Sequence, residues 1–126
     1  MKSQNIKTIK LPVSAPFHCP LMKKATQEME NIILDTKFKD PLVPIISNVT
    51  AAPENKSEEI KRLLIEQIEK PVRWRGSVIN MINMGVKSFI EIGPGKVLSG
   101  LVKRIDRNIK LNQVNNLLDI KNIIND

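Results

Sequence analysis

The chain has 126 residues, a hydrophobic fraction of 41%, a charged fraction of 26% and a net charge of +7, a composition that excludes disorder and allows one modest core. No apolar run reaches the ~18 residues of a membrane span, and the opening Met-Lys-Ser-Gln-Asn lacks the apolar stretch of a signal peptide, which predicts a cytoplasmic protein. A single cysteine, Cys19, excludes an internal disulfide, and aromatics at 3% with scattered Lys and Arg argue against a nucleic-acid surface.

Ile6, Ile9, Leu11 and Val13 predict a short strand over residues 6–13, closed off by Pro12 and Pro16. Pro20 suits the first position of a helix, where its missing N–H costs nothing. Leu21, Met22, Ala25, Met29, Ile32 and Ile33 then fall on one face of a helix expected to end near Asp35. Val43 to Val49 is short and β-branched and predicts a strand, followed by a polar surface loop from Thr50 to Lys56. A second helix is expected from Ser57, a good N-cap, to Glu69, with Ile60, Leu63, Leu64 and Ile68 inward. Gln67 falls on that apolar face and needs a hydrogen-bond partner there.

Pro71 precedes a third predicted helix, Arg73 to Met84, that turns Trp74, Val78, Met81 and Ile82 inward and stops at Gly85. Val86 to Ile92 reads as a strand, and Gly93-Pro94-Gly95 as a tight turn into a fourth helix, Lys96 to Asp106, burying Val97, Leu98, Leu101, Val102 and Ile105. A strand over Lys110 to Val114 and a short helix over Leu117 to Ile124 complete the chain. The alternation predicts an α/β fold of few, mostly parallel strands with packed helices. Three or four short strands are too few to form a covered sheet, so the fold is expected to be incomplete on its own.

The one histidine, His18, lies between a strand end and a helix start, where α/β proteins often place reactive groups. Histidine as a residue type is suited to general-base work near neutral pH. On these facts alone a hydrogen-bonded structural histidine is the commoner reading. Cys19 beside it is read as a packing residue, since sequence neighbours point apart. No metal-ligand spacing surrounds one His and one Cys, and no serine sits in a Gly-x-Ser-x-Gly elbow. Gly93-Pro94-Gly95-Lys96 fits neither nucleotide fingerprint.

Four stretches in register carry a family resemblance. Ser14-Ala15-Pro16-Phe17-His18-Cys19-Pro20-Leu21-Met22 resembles the catalytic-histidine segment of malonyl-CoA:acyl-carrier-protein transacylases and related acyltransferase domains. Pro44-Ile45-Ile46-Ser47-Asn48-Val49 resembles the family strand that follows. Gln67 with Pro71-Val72-Arg73-Trp74 is similar to the family's Gln…Asn-Pro-Val-x-Trp stretch, and Phe89 to Leu101 to its Glu-[Val/Ile]-Gly-Pro-Gly-Lys-Val-Leu-x-Gly-Leu signature.

The resemblance implies the C-terminal part of an α/β-hydrolase-like acyltransferase core over residues 14–126, with residues 1–13 as the exit from a ferredoxin-like inserted subdomain. It implies malonyl transfer from malonyl-CoA to acyl carrier protein in fatty acid biosynthesis, with no cofactor. In that reading His18 is the base and the Gln67 backbone carbonyl orients it. The family's Gly-His-Ser-Leu-Gly nucleophile segment, Gly-Gln-Gly oxyanion segment and malonyl-binding arginine have no counterpart in the sequence. Stand-alone activity is therefore not expected, and a separate N-terminal acyltransferase piece is an expected partner beside malonyl-CoA and acyl carrier protein. The alternative is a non-catalytic remnant or carrier-protein-binding module, with neither nucleic acid nor membrane as partner.

Overall fold

A computed structural model describes residues 15–124; the strand expected over residues 6–13, and its assignment to an inserted subdomain, lie outside the described residues. Pro20 opens a single 3-10 turn, Pro20–Met22, that runs into helix α1, Lys23–Asp35. The helix ends where predicted, with the Thr36 N–H and hydroxyl both donating to the Ile32 carbonyl (3.1 and 2.6 Å). The apolar stripe along the turn and the helix is half open: Leu21 is 78% exposed and Ile32 60%, while Met22, Ala25 and Ile33 are half-buried.

The next segment departs from expectation. Only Ile45–Ile46 forms strand β1, and its antiparallel partner β2, Pro53–Glu54, lies inside the stretch read as a loop. The intervening turn explains both changes. The Ser47 hydroxyl accepts the N–H groups of Val49 and Thr50 (3.1 and 3.4 Å), while the Ser47 N–H donates to the Ala52 carbonyl (3.0 Å). Buried Ala51 takes a left-handed φ of 59°. Side-chain-to-backbone bonds of this kind compete with a growing ladder, and here they reverse the chain.

Helix α2 spans Ser57–Glu66. Ser57 is not its own cap. Asp40 takes that role from outside, accepting Lys56 Nζ (2.9 Å) and the Ser57 backbone N–H (2.8 Å). Those bonds, the Lys56 one first, hold the Asp40 carboxyl down from 3.8 to about 2. α2 lies antiparallel on α1: Lys61 Nζ donates to the Leu34 carbonyl at the end of α1 (3.0 Å) and stands 5.6 Å over the Phe38 ring.

Helix α3, Trp74–Asn83, leads through Gly85 to strand β3, Ser88–Ile92; helix α4, Val97–Ile105, then carries the chain to strand β4, Lys110–Val114, and helix α5, Leu117–Ile124, follows. β3 and β4 pair in parallel, from Ser88 opposite Lys110 to Ile92 opposite Val114. The core sits between this ladder and helices α3 and α4. Val78 is 0% exposed and packs with buried Val102 and Ile109, ringed by Trp74, Met81, Ile82, Phe89, Ile105 and Leu111.

The inward set expected of α3 is therefore present, whereas that of α4 splits. Val102 is buried and Leu101 and Ile105 are half-buried, but Leu98 is exposed and Val97 is 72% exposed. Among the described residues β3 pairs with β4 alone, and its outward residues Ile90 and Ile92 are open as well. A parallel sheet normally has helices on both faces and neighbours on its inner strands, so the apolar residues left open are those a larger sheet would cover.

Candidate active site

The site begins at the end of α2. Gln67 continues the helical ladder, its N–H donating to the Leu63 carbonyl (3.0 Å), and Lys70 N–H donates to Glu66 (3.0 Å). The next bond in that ladder would run from residue 71 to the Gln67 carbonyl. Residue 71 is proline and has no N–H to give. The Gln67 carbonyl is thus orphaned by the sequence at a helix end, where such groups seek another donor.

That donor is His18. The ring reaches the tail of α2 because His18 precedes α1, which packs antiparallel on α2, and because its own backbone turns left-handed at φ 57° between Pro16 and Pro20. His18 Nδ1 lies 2.7 Å from the Gln67 carbonyl oxygen. A carbonyl only accepts, so the neutral ring must hold its proton on Nδ1, which leaves Nε2 as a bare acceptor. His18 is exposed, and among the described residues nothing hydrogen-bonds Nε2. An exposed Nε2 lone pair on a ring held from behind is the arrangement that proton abstraction requires.

The side chain of Gln67 serves a separate purpose. Its Oε1 accepts from Asn48 Nδ2 (3.0 Å), and Gln67 is half-buried, which gives the glutamine on the apolar face the partner it needs. Cys19 is also half-buried, and its thiol donates to the Pro16 carbonyl (3.0 Å), bracing the turn that carries His18.

In the turn between β3 and α4, Gly93 (φ 131°) and Gly95 (φ 92°) take backbone conformations that a side chain would strain. The Glu91 carboxylate accepts the Leu98 and Ser99 backbone N–H groups (3.0 and 2.7 Å) at the start of α4. The Ser99 hydroxyl, followed by these N–H groups, holds Glu91 below the usual carboxylate range. Asn115 Oδ1 accepts the Gly95 N–H (2.8 Å) and ties the turn to the end of β4. This motif is internally satisfied, with the helix N-terminus already occupied by a carboxylate of the same chain.

No protein-family model matches the chain. Individual relatives do. A malonyl CoA-acyl carrier protein transacylase of Bacillus subtilis is 48% identical over 104 residues, covering 82% of this chain and 33% of the relative. This chain is a relative of one part of the malonyl CoA-acyl carrier protein transacylases. It superposes on the solved malonyl CoA-acyl carrier protein transacylase of Coxiella burnetii with a TM-score of 0.90 at 36% identity, over 98% of this chain and 40% of that one. A malonyl-transacylase solved in complex with a type II PKS acyl-carrier protein matches with a TM-score of 0.82 at 37% identity, over 92% and 38%. The chain thus spans about a third of the length of the curated transacylases it matches.

The α/β fold shared with these transacylases agrees with the fold class read from the sequence. The two residues singled out, His18 and Gln67, lie 49 positions apart and meet at hydrogen-bond distance, His18 through Nδ1 and Gln67 through its backbone carbonyl. Asn48 was not singled out as a site residue. Its signal was the abrupt change from apolar to polar in Ile45-Ile46-Ser47-Asn48, where a strand expected to continue meets side chains that bond backbone instead. Among the described residues no helix is long and apolar enough to cross a membrane, and no group of three His, Cys, Asp or Glu residues could hold a metal.

Proposed function

We propose that this chain supplies the general base for transfer of a malonyl group from malonyl-CoA to acyl carrier protein, as the C-terminal portion of an acyltransferase core in cytoplasmic fatty acid synthesis. The observation that carries the reading is the His18–Gln67 bond, with the Nε2 lone pair it leaves. In the proposed reaction His18 Nε2 takes the proton of a serine hydroxyl as that oxygen attacks the thioester carbonyl carbon. Collapse of the tetrahedral adduct breaks the carbon–sulfur bond, and Nε2–H returns the proton to the departing coenzyme A thiolate. Nε2 then takes the proton of the carrier protein's phosphopantetheine thiol, whose sulfur attacks the malonyl-serine, and gives it back to the serine oxygen. The Gln67 carbonyl steadies the imidazolium formed in each half-reaction, in place of a triad carboxylate.

The serine belongs to a Gly-His-Ser-Leu-Gly segment that this sequence does not contain. We assign that segment to an N-terminal acyltransferase piece seated against the open side of β3. Three features among the described residues support the seat: the outer edge of β3, which pairs with none of them, the exposed Ile90, Ile92 and Leu98, and the Trp74 indole N–H, which is buried with no partner among them in the same groove as Ile90 and Leu98. The net charge of +7 suits the anionic coenzyme A and carrier protein. Residues 14–126 are assigned to this core portion and residues 1–13 to the exit from an inserted subdomain.

The test is reconstitution. The chain is mixed with a piece carrying the serine segment, and label is followed from malonyl-CoA to carrier protein. His18→Ala should abolish nearly all transfer, since losing one member of such a unit costs roughly three or more powers of ten. Transfer that survives the substitution unchanged removes His18 from the reaction. Carrier-protein binding without any transfer favours a binding module instead.

A further inference from the structure

We infer that Asn48 is a positioning residue for the His18 base, acting through the side-chain amide of Gln67. This rests on the reading of His18 given above, but its test does not depend on transfer activity.

The Gln67 carbonyl that holds His18 belongs to the first residue beyond α2, where the regular helical bond to residue 71 is missing. A residue at such an end is free to pivot unless something else holds it. Asn48 Nδ2 supplies the restraint, donating to Gln67 Oε1 (3.0 Å). Whichever way the two amides are turned, the bond is one amide to another.

Asn48 can act as a fixed post because its own backbone is anchored from the opposite side. Its carbonyl accepts the Arg73 N–H (2.9 Å), just ahead of α3. The turn that follows is held twice more: the Arg73 guanidinium donates to the Thr50 carbonyl (3.1 Å) and Asn80 Nδ2 to the Ala51 carbonyl (2.9 Å). α3 in turn rests on the Val78 core. A continuous path of directional bonds therefore runs from the packed half of the fold, through the 47–52 turn and Asn48, to Gln67 and the back of the His18 ring.

His18 is the only histidine of the chain, so nitrogen NMR of the imidazole reads one ring without overlap. In the full 126-residue chain the Nδ1–H form should predominate. Asn48→Leu removes the amide bond and should shift the ratio of Nδ1–H to Nε2–H forms about fivefold toward Nε2–H, the change that about 1 kcal/mol of hydrogen bonding produces. Asn48→Asp should keep the wild-type ratio, because Gln67 can turn its NH2 toward the new carboxylate. Gln67→Met, which keeps the carbonyl and removes the amide, should match Asn48→Leu, and the double variant should add nothing further.

An unchanged ratio in a folded Asn48→Leu or Gln67→Met chain overturns the inference. So does an Asn48→Asp ratio that falls as far as that of Asn48→Leu. If His18→Ala leaves reconstituted transfer intact while these ratios behave as expected, the positioning stands and the catalytic reading fails. The opposite result separates them the other way.

Discussion

Val78→Ala probes whether the α3–β3–α4–β4 half of the chain is a closed core. Val78 is 0% exposed, and the substitution deletes two buried methyl groups. At about 0.8 kcal/mol for each, the transfer loss is about 1.6 kcal/mol. Val102, Ile109 and the ring of larger side chains around Val78 hang from two helices, two strands and a connecting loop, so collapse into the space is resisted. A cavity contribution of about 1 kcal/mol brings the total to about 2.5 kcal/mol. Urea unfolding followed by tryptophan fluorescence measures it, since the chain's one tryptophan, Trp74, packs on this cluster. The midpoint should fall with the slope unchanged. Val97→Ala, at a site 72% exposed, should stay within about 0.5 kcal/mol of wild type. A loss below about 1 kcal/mol for Val78→Ala, or equal losses for the two variants, refutes a closed core here.

Two further outcomes follow from named bonds. Asp40 titrates at about 2 when folded against 3.8 ordinarily, so its contribution is complete above pH 3.8 and is lost as pH falls toward 2. Asp40→Asn should flatten the stability-against-pH curve in that window and leave its neutral limb parallel to wild type, as read by thermal unfolding across pH; an unaltered acid limb removes Asp40 as the cap of α2. Pro71→Ala gives residue 71 an N–H that can reach the Gln67 carbonyl. His18 should then share that carbonyl, and its Nδ1–H population should drop by up to about fivefold in nitrogen NMR, whereas no change means the proline does not keep the carbonyl free.

Several parts of the site were legible because local chemistry suffices to write them. Pro20 opens the 3-10 turn that leads into α1, Gly85 follows the end of α3, and the helical spacing of Trp74, Val78, Met81 and Ile82 marks the face that packs. The segments that misled are those in which distant groups settle a local choice. Ser57 has the right chemistry for a cap, yet Asp40 holds the start of α2, because an ionised carboxylate braced by Lys56 accepts more strongly than a hydroxyl. The strand from Val43 to Val49 has the right β-branching, yet Ser47 ends it by taking two backbone N–H groups. Val97 and Leu98 have the right spacing for burial, yet no neighbouring strand covers them among the described residues.

For the site itself, the sequence determined more than it first discloses. A glutamine four residues before a proline at a helix end must leave a carbonyl without its helical donor, since proline has no N–H wherever the chain folds. The tertiary structure alone decided who uses that carbonyl. Antiparallel packing of α1 on α2 and a left-handed backbone at His18 bring Nδ1 to 2.7 Å from it, across 49 residues of chain. Which nitrogen of His18 carries the proton, and so which one is left bare for chemistry, is a consequence of that long-range meeting. Local spacing cannot encode it, because one end of the hydrogen bond lies in the turn ahead of α1 and the other just past the end of α2.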